Sequence, residues 1–105
     1  NGLTSLKRDE LAEYLSENSP SIVSLNELKL DNLNAKSRLS IAGYKAVHKC
    51  RNKFGGGVAL LIKENIVYEE ININTGDEVI GIQLSLQFNN VAKTVKIFSH
   101  YNPPN

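Results

Sequence analysis

A single carboxylate, Glu27, closes an apolar run that predicts a buried strand over residues 22–27. An acid at the end of such a strand is dehydrated on one side and faces solvent on the other. Hard divalent cations prefer oxygen ligands of this kind, and the position suits a metal ligand better than a salt bridge. The strand end therefore indicates metal-dependent chemistry.

The other residues capable of chemistry form no complete motif by themselves. The sequence has no Cys/His cluster with zinc spacing and no Gly-x-Ser-x-Gly elbow of a serine hydrolase. The glycine triplet 55–57 lacks the Gly-Lys-Ser/Thr sequence and helix of a P-loop, so a flexible turn is expected there. His48 and His100 are interpreted as packed or exposed, since strand alternation directs His100 away from the face of Tyr101. Glu78, at the start of a strand, could border a site, although chance explains its position more simply.

Length and composition bound the class of protein. The 105 residues make one domain at most, and 41% hydrophobic with 22% charged residues favours a packed globular segment. No apolar stretch reaches the roughly 20 residues of a membrane span, and no secretory signal is visible at the start, so we expect a soluble chain without a membrane partner. A single cysteine, Cys50, cannot form an internal disulfide. It indicates a reducing intracellular location, nuclear or cytoplasmic, although a chance free thiol explains it too.

Charge is distributed in blocks despite a net charge of +1. Residues 28–53 contain seven lysines and arginines against Asp31, whereas residues 64–80 contain five acids and no base. A basic block of this kind attracts phosphates without reading their sequence. An ordinary solvated face accounts for the same composition equally well.

Hydrophobic periodicity predicts one helix followed by a series of strands. The helix runs from Ser5 to about Asn18, with Leu11, Tyr14 and Leu15 on its packed stripe, and ends before Pro20. Residues 28–43 are polar and irregular, which favours a loop containing at most a helical turn. Further strands are expected at 44–49, 58–62, 66–73, 80–88 and 95–99.

These elements predict an α/β (α+β) layered or sandwich fold in which the helix covers one side of a mainly antiparallel sheet. Residues 44–49 and 58–62 are expected to form a hairpin, with 58–62 covered on both faces. Asn89-Asn90 is the turn between the last two strands. Glu27 and Tyr101 both follow strands, so the sheet could bring them to one edge, where open sheets place ligand sites.

Four segments together resemble a known family. They are Asn1-Gly2-Leu3, Ser24-Leu25-Asn26-Glu27, the run from Gly55 to Lys63, and Tyr101-Asn102-Pro103-Pro104-Asn105. Their order and spacing resemble the endonuclease/exonuclease/phosphatase superfamily, and most closely the apurinic-type endonuclease domain of non-LTR (LINE-like) retrotransposons.

The resemblance covers residues 1–105 but only the N-terminal half of the family's domain. It implies half of a four-layer α/β sandwich. Asn1 aligns with the second asparagine of the family's opening motif, so the metal-site asparagine would precede it. The Gly-Asp-x-Asn and Ser-Asp-His motifs, which supply further metal and nucleophile-positioning groups, are absent from the sequence. The general base is therefore not expected in this chain.

The resemblance also implies roles for individual residues. Glu27 would bind Mg²⁺ or Mn²⁺ and serve catalysis, and Tyr101 would hydrogen-bond the phosphate or a metal-bound water. Arg51 and Lys53 would contact the DNA backbone, and Asn105 would join the phosphate-contacting loop. The alternatives are a surface glutamate after a strand and a tyrosine that anchors a loop by packing.

The implied function is a Mg²⁺-dependent DNA endonuclease domain of a retrotransposon reverse transcriptase polyprotein. It would nick one strand by in-line attack of water and leave a 3′-hydroxyl, and this fragment would be inactive alone. The alternative is a domesticated or truncated non-catalytic fragment that acts in binding or assembly. An exposed sheet edge would then favour self-association or a complementing chain. A phosphatase or phospholipase of the same superfamily is a third possibility, which the glycine triplet and the Tyr-Asn-Pro-Pro-Asn segment disfavour.

Overall fold

The computed structural model describes residues 2–51, 54–73 and 78–101, which form two helices and two antiparallel sheets. The helices are α1 (Ser5–Asn18) and α2 (Asn32–Arg38). The strands are β1 (Ile22–Asn26), β2 (Tyr44–Lys49), β3 (Val58–Lys63), β4 (Glu69–Glu70), β5 (Val79–Phe88) and β6 (Val91–His100). One sheet has the strand order β1-β3-β2 and the other β4-β5-β6. The predicted α+β class with antiparallel sheets is confirmed.

Helix α1 has the predicted bounds but not the predicted packed stripe. Its first turn is capped by Thr4, whose side chain accepts the backbone N–H of Lys7. Leu15 is buried and Leu11 and Ala12 pack beside it, whereas Tyr14 is 57% exposed. Tyr14 precedes Leu15 by one position, about 100° around the helix, and so lies outside the face that contacts the sheet.

The segment predicted as a loop over 28–43 contains a full short helix. Asp31 begins α2 by accepting the backbone N–H of Asn34 at 2.9 Å. Ala35 and Leu39 are buried against the first core. A seven-residue helix with two buried apolar positions gives little periodic signal, which explains why the sequence indicated no more than a turn.

The first sheet is centred on β3, which is buried on both faces as predicted. The predicted hairpin of β2 and β3 is confirmed, with Val47 paired to Leu60. Leu61 of β3 faces the helices, while Leu60 and Ile62 face the second sheet. The strand predicted over 22–27 ends at Asn26 and is only half-buried, because β1 lies at the edge of the described sheet.

The second sheet is dominated by the hairpin of β5 and β6. Asn89 and Asn90 form its turn with φ of 50° and 66°, as two-residue hairpin turns of type I′ require. Strand β6 begins at Val91, earlier than the predicted 95–99. The strand predicted over 66–73 is wrong beyond β4, which pairs only two residues with β5. Ile66 still packs in the core, so the alternation marked burial without continuous pairing.

Three layers result, with the helices on one face of the first sheet and the second sheet on its other face. One apolar cluster lies between the helices and the first sheet, around Leu15, Leu39 and Leu61. The other lies between the sheets, around Leu60 and Ile82. In the described part of the chain, no helix is long and apolar enough to cross a membrane. The layering aligns the ends of β1 and β6, and with them Glu27 and Tyr101.

Candidate functional site

Glu27 lies directly after β1, where the backbone turns out of the strand. Its φ of 56° is in the left-handed region, and Lys29 adopts a φ of 53° two residues later. Two backbone hydrogen bonds hold this turn. The N–H of Leu3 donates to the carbonyl of Leu28 at 2.7 Å, and the N–H of Lys29 donates to the carbonyl of Gly56 at 3.0 Å. The left-handed residue at position 27 therefore presents its carboxylate at the sheet edge in a fixed place.

Tyr101 meets Glu27 at this edge. Its hydroxyl donates a hydrogen bond to Oε2 of Glu27, although 74 positions separate the two residues. This hydrogen bond is the main cause that lowers the pKa of Glu27. Partial burial opposes it, while the Gly56 N–H, Lys29 and Arg51 act in the same direction as Tyr101.

The same contact, with burial, raises the pKa of Tyr101. At neutral pH the pair is thus an ionised carboxylate beside a protonated phenol. Such a pair offers anionic carboxylate oxygens with free lone pairs, while the one proton of the phenol is donated to Oε2 of Glu27.

The glycine triplet 55–57 packs against Glu27 and is buried, contrary to the flexible turn expected from its sequence. The N–H of Gly56 donates to Oε1 of Glu27 at 3.4 Å, a long hydrogen bond. A Cβ on Gly55 would lie 2.6 Å from Nη2 of Arg51, and a Cβ on Gly56 would overlap the carboxylate of Glu78. An added Cβ would therefore displace the ends of these two side chains, and at Gly56 the φ of 73° itself favours glycine.

Glu78 lies on the other side of this glycine turn, although chance was the simpler explanation of its position in the sequence. Its Oε1 accepts the N–H of Gly57 at 2.6 Å, and its Oε2 lies 3.7 Å from Nη1 of Arg51. Its backbone carbonyl accepts the N–H of Tyr101 at 2.9 Å. The signal that could have found it is the hairpin register, because a two-residue turn at 89–90 places Glu78 opposite Tyr101.

A hydroxyl pair ties β1 to β6 below the site. The hydroxyls of Ser24 and Ser99 share a hydrogen bond of 2.7 Å, and the Ser99 hydroxyl lies 3.5 Å from Oδ1 of Asn26. Ser99 is buried. Because these polar contacts cross from one sheet to the other, they keep the strand ends that carry Glu27 and Tyr101 side by side.

The comparison with known proteins agrees with this geometry. The model of the Endonuclease/Exonuclease/phosphatase family matches residues 1–105. The chain belongs to the endonuclease/exonuclease/phosphatase family. No curated protein matches it. Membership fits a function of the nuclease or phosphatase type, and members of this family usually depend on a divalent metal.

The oxygen donors at Glu27 suit the metal that this family usually requires. A carboxylate offers about four lone-pair positions, and the bonds from Tyr101 and Gly56 occupy two of them. Mg²⁺ is commonly held by one or two carboxylates and keeps waters and substrate oxygens as its other ligands. A cleft of about 290 Å³ adjoins Glu27, lined also by Asn26 and Lys7. Within the described ranges, no three His, Cys, Asp or Glu side chains cluster as a complete metal cage.

The other residues named from the sequence form no hydrogen bond with Glu27 within the described part of the chain. Arg51 lies beside the glycine turn, and its half-exposed guanidinium faces Glu78. Lys53 and Asn105 lie outside the described residues. His100 is exposed and His48 contacts Cys50 at 3.8 Å, so the structure brings neither to Glu27.

Proposed function

We propose that this chain forms the metal-binding and phosphate-binding side of a Mg²⁺-dependent DNA endonuclease, with Mn²⁺ as a possible substitute. The observation that carries the proposal is the hydrogen bond between Tyr101 and Glu27. An ionised carboxylate and a neutral phenol, delivered by the ends of two different strands, match the needs of a metal-bound phosphodiester. Family membership supports a reaction at a phosphate ester.

Each residue has a distinct part in the proposed reaction. Glu27 would hold the metal, which polarises the scissile phosphate and offsets charge on the leaving oxygen. The Tyr101 hydroxyl has one proton, so it would turn from Oε2 of Glu27 to donate to a phosphate oxygen as negative charge develops there. Arg51, with five N–H donors, can bind the DNA backbone while one side of its guanidinium faces Glu78. Lys53 and Asn105 complete the proposed DNA contacts.

The proposed enzyme needs a general base from outside the described residues. In the described part of the chain, no histidine lies at Glu27, and Glu27 itself is engaged by Tyr101 and Gly56. A water attacking in line would therefore lack a proton acceptor among the residues that the structure describes. We infer that the chain is the N-terminal half of the catalytic domain and is inactive alone.

The finer assignment is to the apurinic-type endonuclease of a non-LTR retrotransposon, acting within a reverse transcriptase polyprotein. The glycine triplet and the Tyr-Asn-Pro-Pro-Asn segment support this over a phosphatase or phospholipase. The nick would leave a 3′-hydroxyl that primes DNA synthesis.

A nicking assay tests the function. Supercoiled plasmid is incubated with Mg²⁺ and either this chain or the full-length product of its gene. We expect the full-length protein to give open circles that a DNA polymerase extends, its Glu27→Gln variant to give none, and this chain alone to give none. Nicking by this chain alone would refute the need for a second half. A full-length protein that releases phosphate from monoesters and leaves plasmid intact would favour the phosphatase.

One observation favours the alternative, a non-catalytic fragment that acts in assembly. Strand β6 lies at the edge of its described sheet, and Phe88, Val91 and Phe98 of the β5–β6 hairpin are each more than half exposed. Exposed edges and apolar side chains of this kind promote pairing with another chain. Sedimentation velocity at increasing protein concentration tests this alternative. A dimer in the wild-type chain that is lost in the Phe98→Glu variant would support self-association, and a monomer at every concentration would count against it.

A further inference from the structure

Glu78 contacts the glycine turn, Arg51 and the backbone of Tyr101, and it does not line the cleft beside Glu27. Its carboxylate accepts from Gly57 and faces Arg51, and its backbone carbonyl accepts from Tyr101. The side chain is 15% exposed, against 48% for the Arg51 side chain. A largely buried acid needs such partners, since an unpaired buried carboxylate is strongly destabilising.

We propose that Glu78 is the positioning residue of this site: its carboxylate holds the glycine turn and Arg51 in the places from which they act on Glu27. The inference rests on the proposed function and adds a residue to it. Removal of the Glu78 carboxylate would leave the N–H of Gly57 without this acceptor and would loosen the turn whose neighbouring Gly56 N–H donates to Glu27.

The geometry also explains how a second acid can lie near Glu27 without weakening metal binding there by charge repulsion. The negative charge of Glu78 is directed at the Gly57 N–H and the guanidinium of Arg51. A charged hydrogen bond of 2.6 Å is among the strong contacts of a folded chain. Arg51 in turn helps to lower the pKa of Glu27. Glu78 therefore acts on the site through Gly57 and Arg51.

Two variants distinguish the hydrogen bond that Glu78 accepts from the negative charge that it carries. Glu78→Gln keeps an oxygen that can accept from Gly57 but removes the negative charge, whereas Glu78→Ala removes both. Glu69→Ala is the matched control, because it deletes an exposed carboxylate of β4 away from the site. All three variants and the wild-type chain are first compared by circular dichroism and urea unfolding, so that only folded proteins enter the test.

The first readout is amide hydrogen exchange at Gly56 and Gly57. Loss of a hydrogen bond to a charged group should speed exchange at Gly57 by about tenfold or more in Glu78→Ala. Glu78→Gln should stay closer to wild type, and Glu69→Ala should match it. Equal exchange at Gly57 in wild type and Glu78→Ala would overturn the proposal. This readout needs no metal and remains informative if the proposed nuclease function fails.

The second readout is Mn²⁺ affinity, measured by water-proton relaxation. Residues that orient a metal ligand typically change metal affinity by about 10-fold or more when replaced. We expect a loss of this size in Glu78→Ala and a smaller loss in Glu78→Gln. Equal losses in the two variants would show that Glu78 acts by charge alone and would overturn the positioning role. Absence of Mn²⁺ binding in the wild-type chain would instead refute the proposed function.

Discussion

Replacement of Gly56 by alanine is expected to destabilise the chain more than the same replacement at another left-handed glycine. Gly56 has a φ of 73° and Gly43 a φ of 87°, so alanine costs about 1 to 2 kcal/mol at either position. A Cβ at Gly43 would meet no atom within 4 Å, whereas at Gly56 it would overlap the Glu78 carboxylate.

The difference between the two variants can be estimated from the contact that the new methyl group displaces. Moving the Glu78 carboxylate breaks its hydrogen bond to the Gly57 N–H, which is worth about 1.5 to 3 kcal/mol for a charged acceptor. The total loss for Gly56→Ala is therefore about 2.5 to 5 kcal/mol, against about 1 to 2 kcal/mol for Gly43→Ala.

Urea unfolding followed by circular dichroism measures both losses, and equal m-values show that the denatured states are comparable. Losses of unfolding free energy that agree to within about 0.5 kcal/mol between the two variants would refute the argument. Such a result would mean that the glycine turn accommodates the new methyl group and keeps its hydrogen bond to Glu78.

Three further predictions follow from buried and titrating side chains. Leu61→Ala should cost about 2 to 5 kcal/mol in urea unfolding, and the exposed control Leu33→Ala less than about 0.5 kcal/mol. Because the Tyr101 hydroxyl lowers the pKa of Glu27, its stabilisation is present above the unfolded-state pKa and lost as pH falls through the folded-state pKa. Tyr101→Phe should thus destabilise the chain at neutral pH and less in acid. Burial raises the pKa of Cys50, so iodoacetamide should alkylate it more slowly in the folded than in the urea-unfolded chain at neutral pH.

The sequence predicted the long, strongly patterned elements and the meeting of Glu27 with Tyr101. Helix α1 and strand β2 have the predicted bounds, because caps, proline and alternation all act locally. The strand expected over 66–73 did not form beyond β4, since alternation reports burial and not a partner strand. The role of the glycine triplet was also missed, because the acid that packs against it, Glu78, lies 21 positions beyond Gly57 in the chain.

Glu78 shows why the candidate site could be only partly predicted. A lone acid before a strand belongs to no recognisable motif, and its position opposite Tyr101 depends on the register of β5 and β6. That register follows from the turn at 89–90, but the contact with Gly57 depends on how the two sheets pack. Side-chain contacts between two sheets produce no periodic pattern in the sequence, so periodicity could not predict this contact.

The most direct test of the central claim is whether Mn²⁺ binds at Glu27. Substoichiometric Mn²⁺ is added to the ¹⁵N-labelled chain, and broadening of the backbone amide signals is mapped. The account predicts broadening centred on Glu27, Gly56 and Tyr101, and its loss in Glu27→Gln, which keeps an oxygen acceptor for the Tyr101 hydroxyl. Broadening centred on the acidic segment 64–70, unchanged in Glu27→Gln, would contradict the account.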